Sequence, residues 1–131
     1  MSQTLKDTKG NTIHTSETMS QAQALVIASQ LGRPINLANV SLPGIVLTAA
    51  TVGTNQPSSM AGGSLAGSTI NNVIFRNMDM RGVDFTGTNL KGTDLRECNL
   101  DGAAFTGAVG DAMTRLPAGW HVNPNGSISR S

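Results

Sequence analysis

The 131-residue chain contains no tyrosine, one tryptophan and three phenylalanines, so aromatic burial cannot carry its core. Only 13% of its residues are charged, against roughly 25% in an average globular domain. With 15 glycines and abundant serine, threonine and asparagine, such a chain in an irregular fold would have too little apolar surface to bury. A strictly periodic fold can use this composition, because small residues stack. An excess of either charge is also missing, the net being +1. That argues against nucleic acid or an anionic membrane as partner, and against bulk acidic mimicry of a phosphate backbone. Cys98 is the only cysteine, which excludes an internal disulfide and leaves no sign of an oxidising compartment. Residues 1–7 lack the basic patch and apolar run of a secretory signal. No stretch approaches the ~20 apolar residues of a membrane-spanning helix. The expectation is a cytoplasmic protein.

What the chain does have is a period. From Ser58 onward a large apolar residue recurs every five positions, at Met60, Leu65, Ile70, Phe75, Met80, Phe85, Leu90, Leu95, Leu100 and Phe105. Two positions before each of these centres stands a small or modest residue, such as Ser68, Val83, Thr88, Thr93 and Cys98. Immediately before the centre Asp or Asn is frequent (Asp79, Asp84, Asn89, Asp94, Asn99), and two positions after it Gly is common (Gly62, Gly82, Gly92, Gly102). An earlier block has centres at Leu37, Leu42, Leu47 and Val52. The step from Val52 to Met60 is eight residues, so three extra residues lie within 53–57, where Pro57 and its polar neighbours suit a protruding loop.

A five-residue period fits neither a helix nor a flat strand. It requires a corner in every repeat, with two inward residues on each short side and a Gly or Asn to tolerate the tight backbone. Four sides, one repeat each, close a coil, and coils stacked ~4.8 Å apart pair their backbones as neighbouring strands do. Taking every fourth centre, with the extra residues looped out, predicts four interior columns. They are Leu37-Met60-Met80-Leu100, Leu42-Leu65-Phe85-Phe105, Leu47-Ile70-Leu90 and Val52-Phe75-Leu95, all apolar. Each large side chain buried there stabilises by roughly 1.5–3 kcal/mol. A filled interior leaves no space for a ligand.

The stretch from Val83 to Gly102, VDFTG-TNLKG-TDLRE-CNLDG, resembles the pentapeptide-repeat family. The resemblance covers roughly residues 35–107 and implies an all-β solenoid, the right-handed quadrilateral β-helix, here of about 3.5 coils. Residues 1–34 and 108–131 then read as caps on the two ends, which a solenoid must protect from edge-to-edge association. In the first, Leu5 to His14 reads as a hairpin, and Ser20 with Gln23 opens an amphipathic helix through Leu31 that Gly32 and Pro34 end. In the second, His121 to Arg130 alternates around Asn125-Gly126, a hairpin signal, and Trp120 is placed as a lid on the last coil. Alternatively two copies meet at this C-terminal end, as several proteins of the resembled family do.

No catalytic constellation accompanies the repeat, and the chain is expected not to be an enzyme. Cys98 falls at an inward position, where burial makes a thiol inert. His14 and His121 lack the further ligands a metal needs. The recurring Asp79, Asp84 and Asp94 stand where the repeat itself calls for Asp or Asn. No Walker loop or dinucleotide fingerprint is present, and no cofactor or metal is expected. Residues one coil apart share a face, so Arg76 stacks beside Arg96 as a small positive strip and Arg81 beside Asp101 as a surface pair, with Lys91 on the face between. The candidate partner-binding residues are therefore Thr54, Asn55 and Gln56 of the loop and Arg76 and Arg96 of the strip. The expected function is a non-enzymatic interaction or structural module, binding an unidentified protein partner by its faces, loop or ends. The alternative implied by the resemblance is a DNA-mimic inhibitor or protector of a topoisomerase such as gyrase. Five acids against four bases over residues 73–107 make weak mimicry.

Overall fold

The computed structural model describes residues 3–6, 11–16, 46–48, 51–52, 54 and 57–130. Strands β1 (Gln3–Lys6) and β2 (Thr12–Ser16) pair antiparallel, with Leu5 opposite His14. The amphipathic helix expected after Ser20, and the first two centres Leu37 and Leu42, lie outside the described residues.

The body is a parallel β-helix. Strand β3 (Val46–Thr48) pairs with β6 (Thr69–Asn71), β4 (Thr51–Val52) with β7 (Ile74–Phe75), and β5 (Ser58–Ser59) with β8 (Met78–Asp79). The register reports the inserted loop directly. Leu47 pairs with Ile70 and Val52 with Phe75, one coil and three residues further on, whereas Ser58 pairs with Met78, one plain coil further on. The three surplus residues are therefore taken up between Val52 and Ser58. From there the step is constant, through Ser64 to Asp84 to Ala104 and through Thr69 to Asn89 to Val109.

Each part of the repeat has a local cause. The residue before the centre accepts a hydrogen bond from the backbone N–H two positions on. Asp84 Oδ1 accepts from Thr86 N at 2.9 Å, Asp94 Oδ1 from Arg96 N at 3.0 Å, Asn99 Oδ1 from Asp101 N at 3.0 Å, and Ser64 Oγ from Ala66 N at 3.2 Å. This side-chain turn bends the chain outward at the corner. At every described repeat from Met60 to Phe105 except that of Leu95, whose Glu97 stays out of it, the residue two after the centre then enters the left-handed region, which Gly occupies without strain. Where Gly is absent, Asn72 (φ 58°) and Asn77 (φ 51°) take the role, as the residue type best able to. At Gly92 (φ 73°) a second constraint applies, because an added Cβ would collide with Asn72 Oδ1 of the coil above. The turn closes when the next small residue returns its N–H to the centre's carbonyl, as Thr88 N does to Phe85 O at 3.0 Å.

The interior is solid. Met60, Leu65, Ile70, Phe75, Met80, Phe85, Leu90 and Leu95 are fully buried or nearly so, in the columns that the coil step dictates. Phe85 and Phe105 stack with ring planes 1° apart and centroids at 4.9 Å. The inward small residues add polar ties between coils. Thr88 Oγ1 donates to Leu65 O at 2.7 Å, and Thr93 Oγ1 donates to Ile70 O. Leu65 O also accepts from Ser68 N in its own turn, and both buried hydroxyls are satisfied.

Parallel pairing runs on past Gly107. Asp94 bridges to Arg115, one position beyond the regular step, so one residue is added between Val109 and Arg115. Asp111 absorbs it: its Oδ1 accepts from Gly92 N at 3.1 Å and Met113 N at 3.0 Å, and its own N–H donates to Thr114 Oγ1 at 2.9 Å. Thr114 Oγ1 in turn donates to Leu90 O at 2.9 Å, the same tie that Thr88 and Thr93 make. Gly110 stands where a large centre is due. Strand β9 (Trp120–Val122), antiparallel to β10 (Ile128–Arg130), brings Val122 to that place, its Cγ2 3.1 Å from where a Gly110 Cβ would lie. The hairpin turn also supplies Gly126 O to Gly110 N at 2.8 Å. Trp120 meets Phe105 edge-on at 5.0 Å, and Ile128 joins the core.

Candidate interaction surfaces

With the interior filled, chemistry can only occur on the outside. The loop at 53–57 is tied at its start, where Asn77 Nδ2 donates to Thr54 O at 2.7 Å. Asn77 is one of the two left-handed asparagines, so the corner of one coil holds the insertion of the coil above. Thr54 is half-buried, and Asn55 and Gln56 lie outside the described residues.

The Arg76 and Arg96 pair shares a face as the coil step requires, but neither is an uncompensated cation. Arg96 grips Asp94 with two nitrogens, Nε at 3.0 Å from Oδ1 and Nη2 at 2.7 Å from Oδ2. Arg76 Nε lies 3.6 Å from Glu97 Oε2. Arg81 does not pair with Asp101 as the stacking suggested. It grips Asp79 in the same bidentate way at 2.7 Å, and Asp101 meets Arg130 at 3.4 Å instead. The reason is local geometry: residues before and after a centre both point outward on one short side, closer than a neighbour one coil away. The hydrogen bonds from Arg81 and Arg96 hold the Asp79 and Asp94 carboxyls below their ordinary range, and those from the Thr86 hydroxyl and N–H do so for Asp84. These acids are structural acceptors, and four of the five counted toward a duplex mimic, all but Asp84, pair with an arginine.

Cys98 is buried, its Sγ 3.7 Å from Phe75 O, and burial pushes its thiol up to about 12. It belongs to the inward column with Ser58 and Met78. Among the described residues no three of His, Cys, Asp and Glu gather to hold a metal. His121 bonds Asn123 Oδ1 at 2.8 Å within the closing hairpin.

A protein-family model for pentapeptide repeats matches residues 84–109, the most regular part of the ladder. This part of the chain is a run of pentapeptide repeats. Among solved structures, a pentapeptide repeat protein from Nostoc PCC 7120 is 25% identical, with a TM-score of 0.58, over 78% of this chain and 89% of that one. A pentapeptide repeat protein (Rfr23) from the cyanobacterium Cyanothece 51142 is 16% identical, with a TM-score of 0.39, over 62% of this chain and 87% of that one. HetL, a pentapeptide repeat protein involved in heterocyst differentiation regulation in Nostoc sp. strain PCC 7120, is 19% identical, with a TM-score of 0.30, over 72% of this chain and 53% of that one. No curated protein matches the sequence. No helix among the described residues is long and apolar enough to cross a membrane.

Two features of this pentapeptide-repeat surface escape a reading that stops at Gly107. Arg115 joins the face of Arg76 and Arg96, next to Asp94. Met113 is left 62% exposed at the added residue. The available signal was Thr114 followed two residues later by Leu116, a small residue and a centre one position out of phase.

Proposed function

We propose that this chain is a non-enzymatic interaction or structural module that binds a protein partner through its outer faces, the loop at 53–57 or an end. The observation that carries the reading is the filled interior: Phe75, Phe85, Leu90 and Leu95 leave the coil axis no space for a substrate. In this reading residues 35–107 form a right-handed quadrilateral β-helix of about 3.5 coils, and residues 1–34 and 108–131 close its ends. The packing of Trp120 on Phe105 and of Ile128 in the core supports the C-terminal closure. The buried, unreactive Cys98 suits a reducing compartment such as the cytoplasm. Thr54, Asn55 and Gln56, or Arg76 and Arg96, are the candidate contacts, and a second copy at the C-terminal end is the candidate homodimer.

Site-specific photo-crosslinking in the native cell tests this. A crosslinker placed in the loop sequence at 55, or at the outward positions 76, 86 or 96, is expected to trap a discrete protein from at least one of them. Absence of any protein adduct at every outward position would remove the interaction reading. Retained adducts after alanine replacement of Thr54, Asn55 and Gln56 would remove the loop from it. Sedimentation velocity of the purified chain reports whether copies self-associate, and Trp120→Ala should weaken such association if the C-terminal end is the contact.

A further inference from the structure

Six basic side chains are described on the coils and closing hairpin. Four hold a carboxylate: Arg76 with Glu97, Arg81 with Asp79, Arg96 with Asp94 and Arg130 with Asp101. Lys91 and Arg115 hold none among the described residues, and both are exposed. The acids beside them are committed elsewhere. Asp94, the acid whose charge Arg115 feels, is gripped by two nitrogens of Arg96. Asp111, which lines the same groove as Lys91, accepts from Gly92 N and Met113 N. Lys91 and Arg115 thus stand against one ionised acid, Asp111, and the corner is left with a net positive charge among the described residues.

Apolar surface concentrates at the same corner. Met113 is 62% exposed and Val109 40%, two of the three large exposed hydrophobics among the described residues. A groove of about 510 Å³ runs from Lys91 to the hairpin turn, with Val109, Val122 and Pro124 on its walls. Met113 lies in the turn between Asp111 and Thr114, just past the groove residues Asp111 and Ala112, and Val122 fills the core place beneath. A net positive corner beside exposed apolar side chains complements a carboxylate next to an apolar side chain.

We infer that the corner of Lys91, Val109, Met113 and Arg115 docks an acidic segment of a protein partner. Its carboxylates meet Lys91 and Arg115, and an adjacent apolar side chain enters the groove between Val109 and Pro124. This deepens the interaction-module reading and rests on it. Single-stranded nucleic acid fits the corner poorly, because base stacking needs an available aromatic and Trp120 is engaged by Phe105 and by Arg130 5.0 Å from its ring.

The test is a displayed library of short random peptides selected on the full chain, followed by affinity measurement with a synthetic selected peptide. Lys91→Glu, Arg115→Gln and Met113→Ser serve as variants, with thermal melts to verify that each folds. Selected peptides should pair Asp or Glu with Leu, Ile, Met or Phe. Lys91→Glu should weaken binding about tenfold or more, and affinity should rise as salt is lowered. Enriched peptides without acids, or acidic ones indifferent to all three variants, would overturn the inference while leaving a module that binds through another face. No enrichment at all counts against both readings. Preference for an oligonucleotide or polyphosphate, lost in the same variants, would reassign the corner to phosphate and also overturn it.

Discussion

Between Ser58 and Gly107 every interior place is filled by the residue of its own repeat. Between Ala108 and Arg130 the interior is completed from a distance: Gly110 leaves a vacancy, and Val122, from the closing hairpin, occupies it. The first region is held by short-range rules repeated ten times, so a defect there is local to one column. The second depends on a hairpin being docked, because Trp120, Val122 and Ile128 reach the core only when β9 and β10 lie over the last coil. Regular stacking thus supplies a core wherever the period holds, and a single docked hairpin suffices where it stops.

The sharpest way to break this contrast is to empty each region and compare. Phe85→Ala removes a ring packed against Phe105 and should cost about 3–5 kcal/mol in urea unfolding, whereas Val122→Ala, at a partly buried site, should cost about 1–2 kcal/mol. Equal costs would mean that the hairpin is as integral as the coils. Next in size, Thr114→Val strips the tie to Leu90 O and leaves Asp111 N–H without its acceptor, for an expected loss of about 1–3 kcal/mol. A neutral result would show that the added residue is closed by Asp111 alone.

A smaller effect isolates the borrowed core position. An added methyl at Gly110 meets Thr114 Oγ1 at 3.0 Å and Val122 Cγ2 at 3.1 Å. Gly110→Ala should therefore destabilise the native chain, and do so less in a Val122→Ala background, with a coupling of about 1 kcal/mol in the double-mutant cycle. Strict additivity would place Val122 elsewhere.

The smallest expected effect is the dependence on pH. Asp79 and Asp94 are held below their ordinary value of 3.8 by hydrogen bonds from Arg81 and Arg96. For Asp111 burial pushes the other way, but the N–H groups of Gly92 and Met113 outweigh it. A carboxyl whose folded pKa is depressed contributes stability that is present above its unfolded pKa and is lost as pH falls through the folded one. The melting temperature should thus hold from neutral pH to about pH 4 and decline below it. Asp94→Asn and Asp111→Asn should each flatten the decline. The arginine pairs are exposed and screened, so raised salt should shrink the Asp94 contribution more than that of Asp111, whose partners are backbone groups of the turn.

Much of this was legible from residue spacing. The ten centres from Met60 to Phe105, the surplus of three before Ser58 and the hairpin about Asn125-Gly126 each carry a short-range signature. The partners of Arg81 and Asp101 did not, because the coil step says which residues are neighbours but not which rotamer wins. Arg81 reaches Asp79 across one centre and so leaves Asp101 to Arg130. The added residue before Arg115 was equally silent, since Gly110 erases the apolar mark by which a centre is recognised.

By itself, the sequence determined the coil: a five-residue rhythm of small, Asx, large and Gly can satisfy its turns and its interior only by closing on itself every fourth repeat. Tertiary structure alone decided how the coil ends and where its surface keeps a net positive charge. Val122 fills the place of Gly110, Arg130 takes Asp101, and Lys91 and Arg115 keep no carboxylate among the described residues. The physical reason is range. Turn chemistry and stacking act within one repeat or one coil step and leave a periodic trace, whereas the docking of a hairpin and the competition among charged side chains depend on distances that no local pattern encodes.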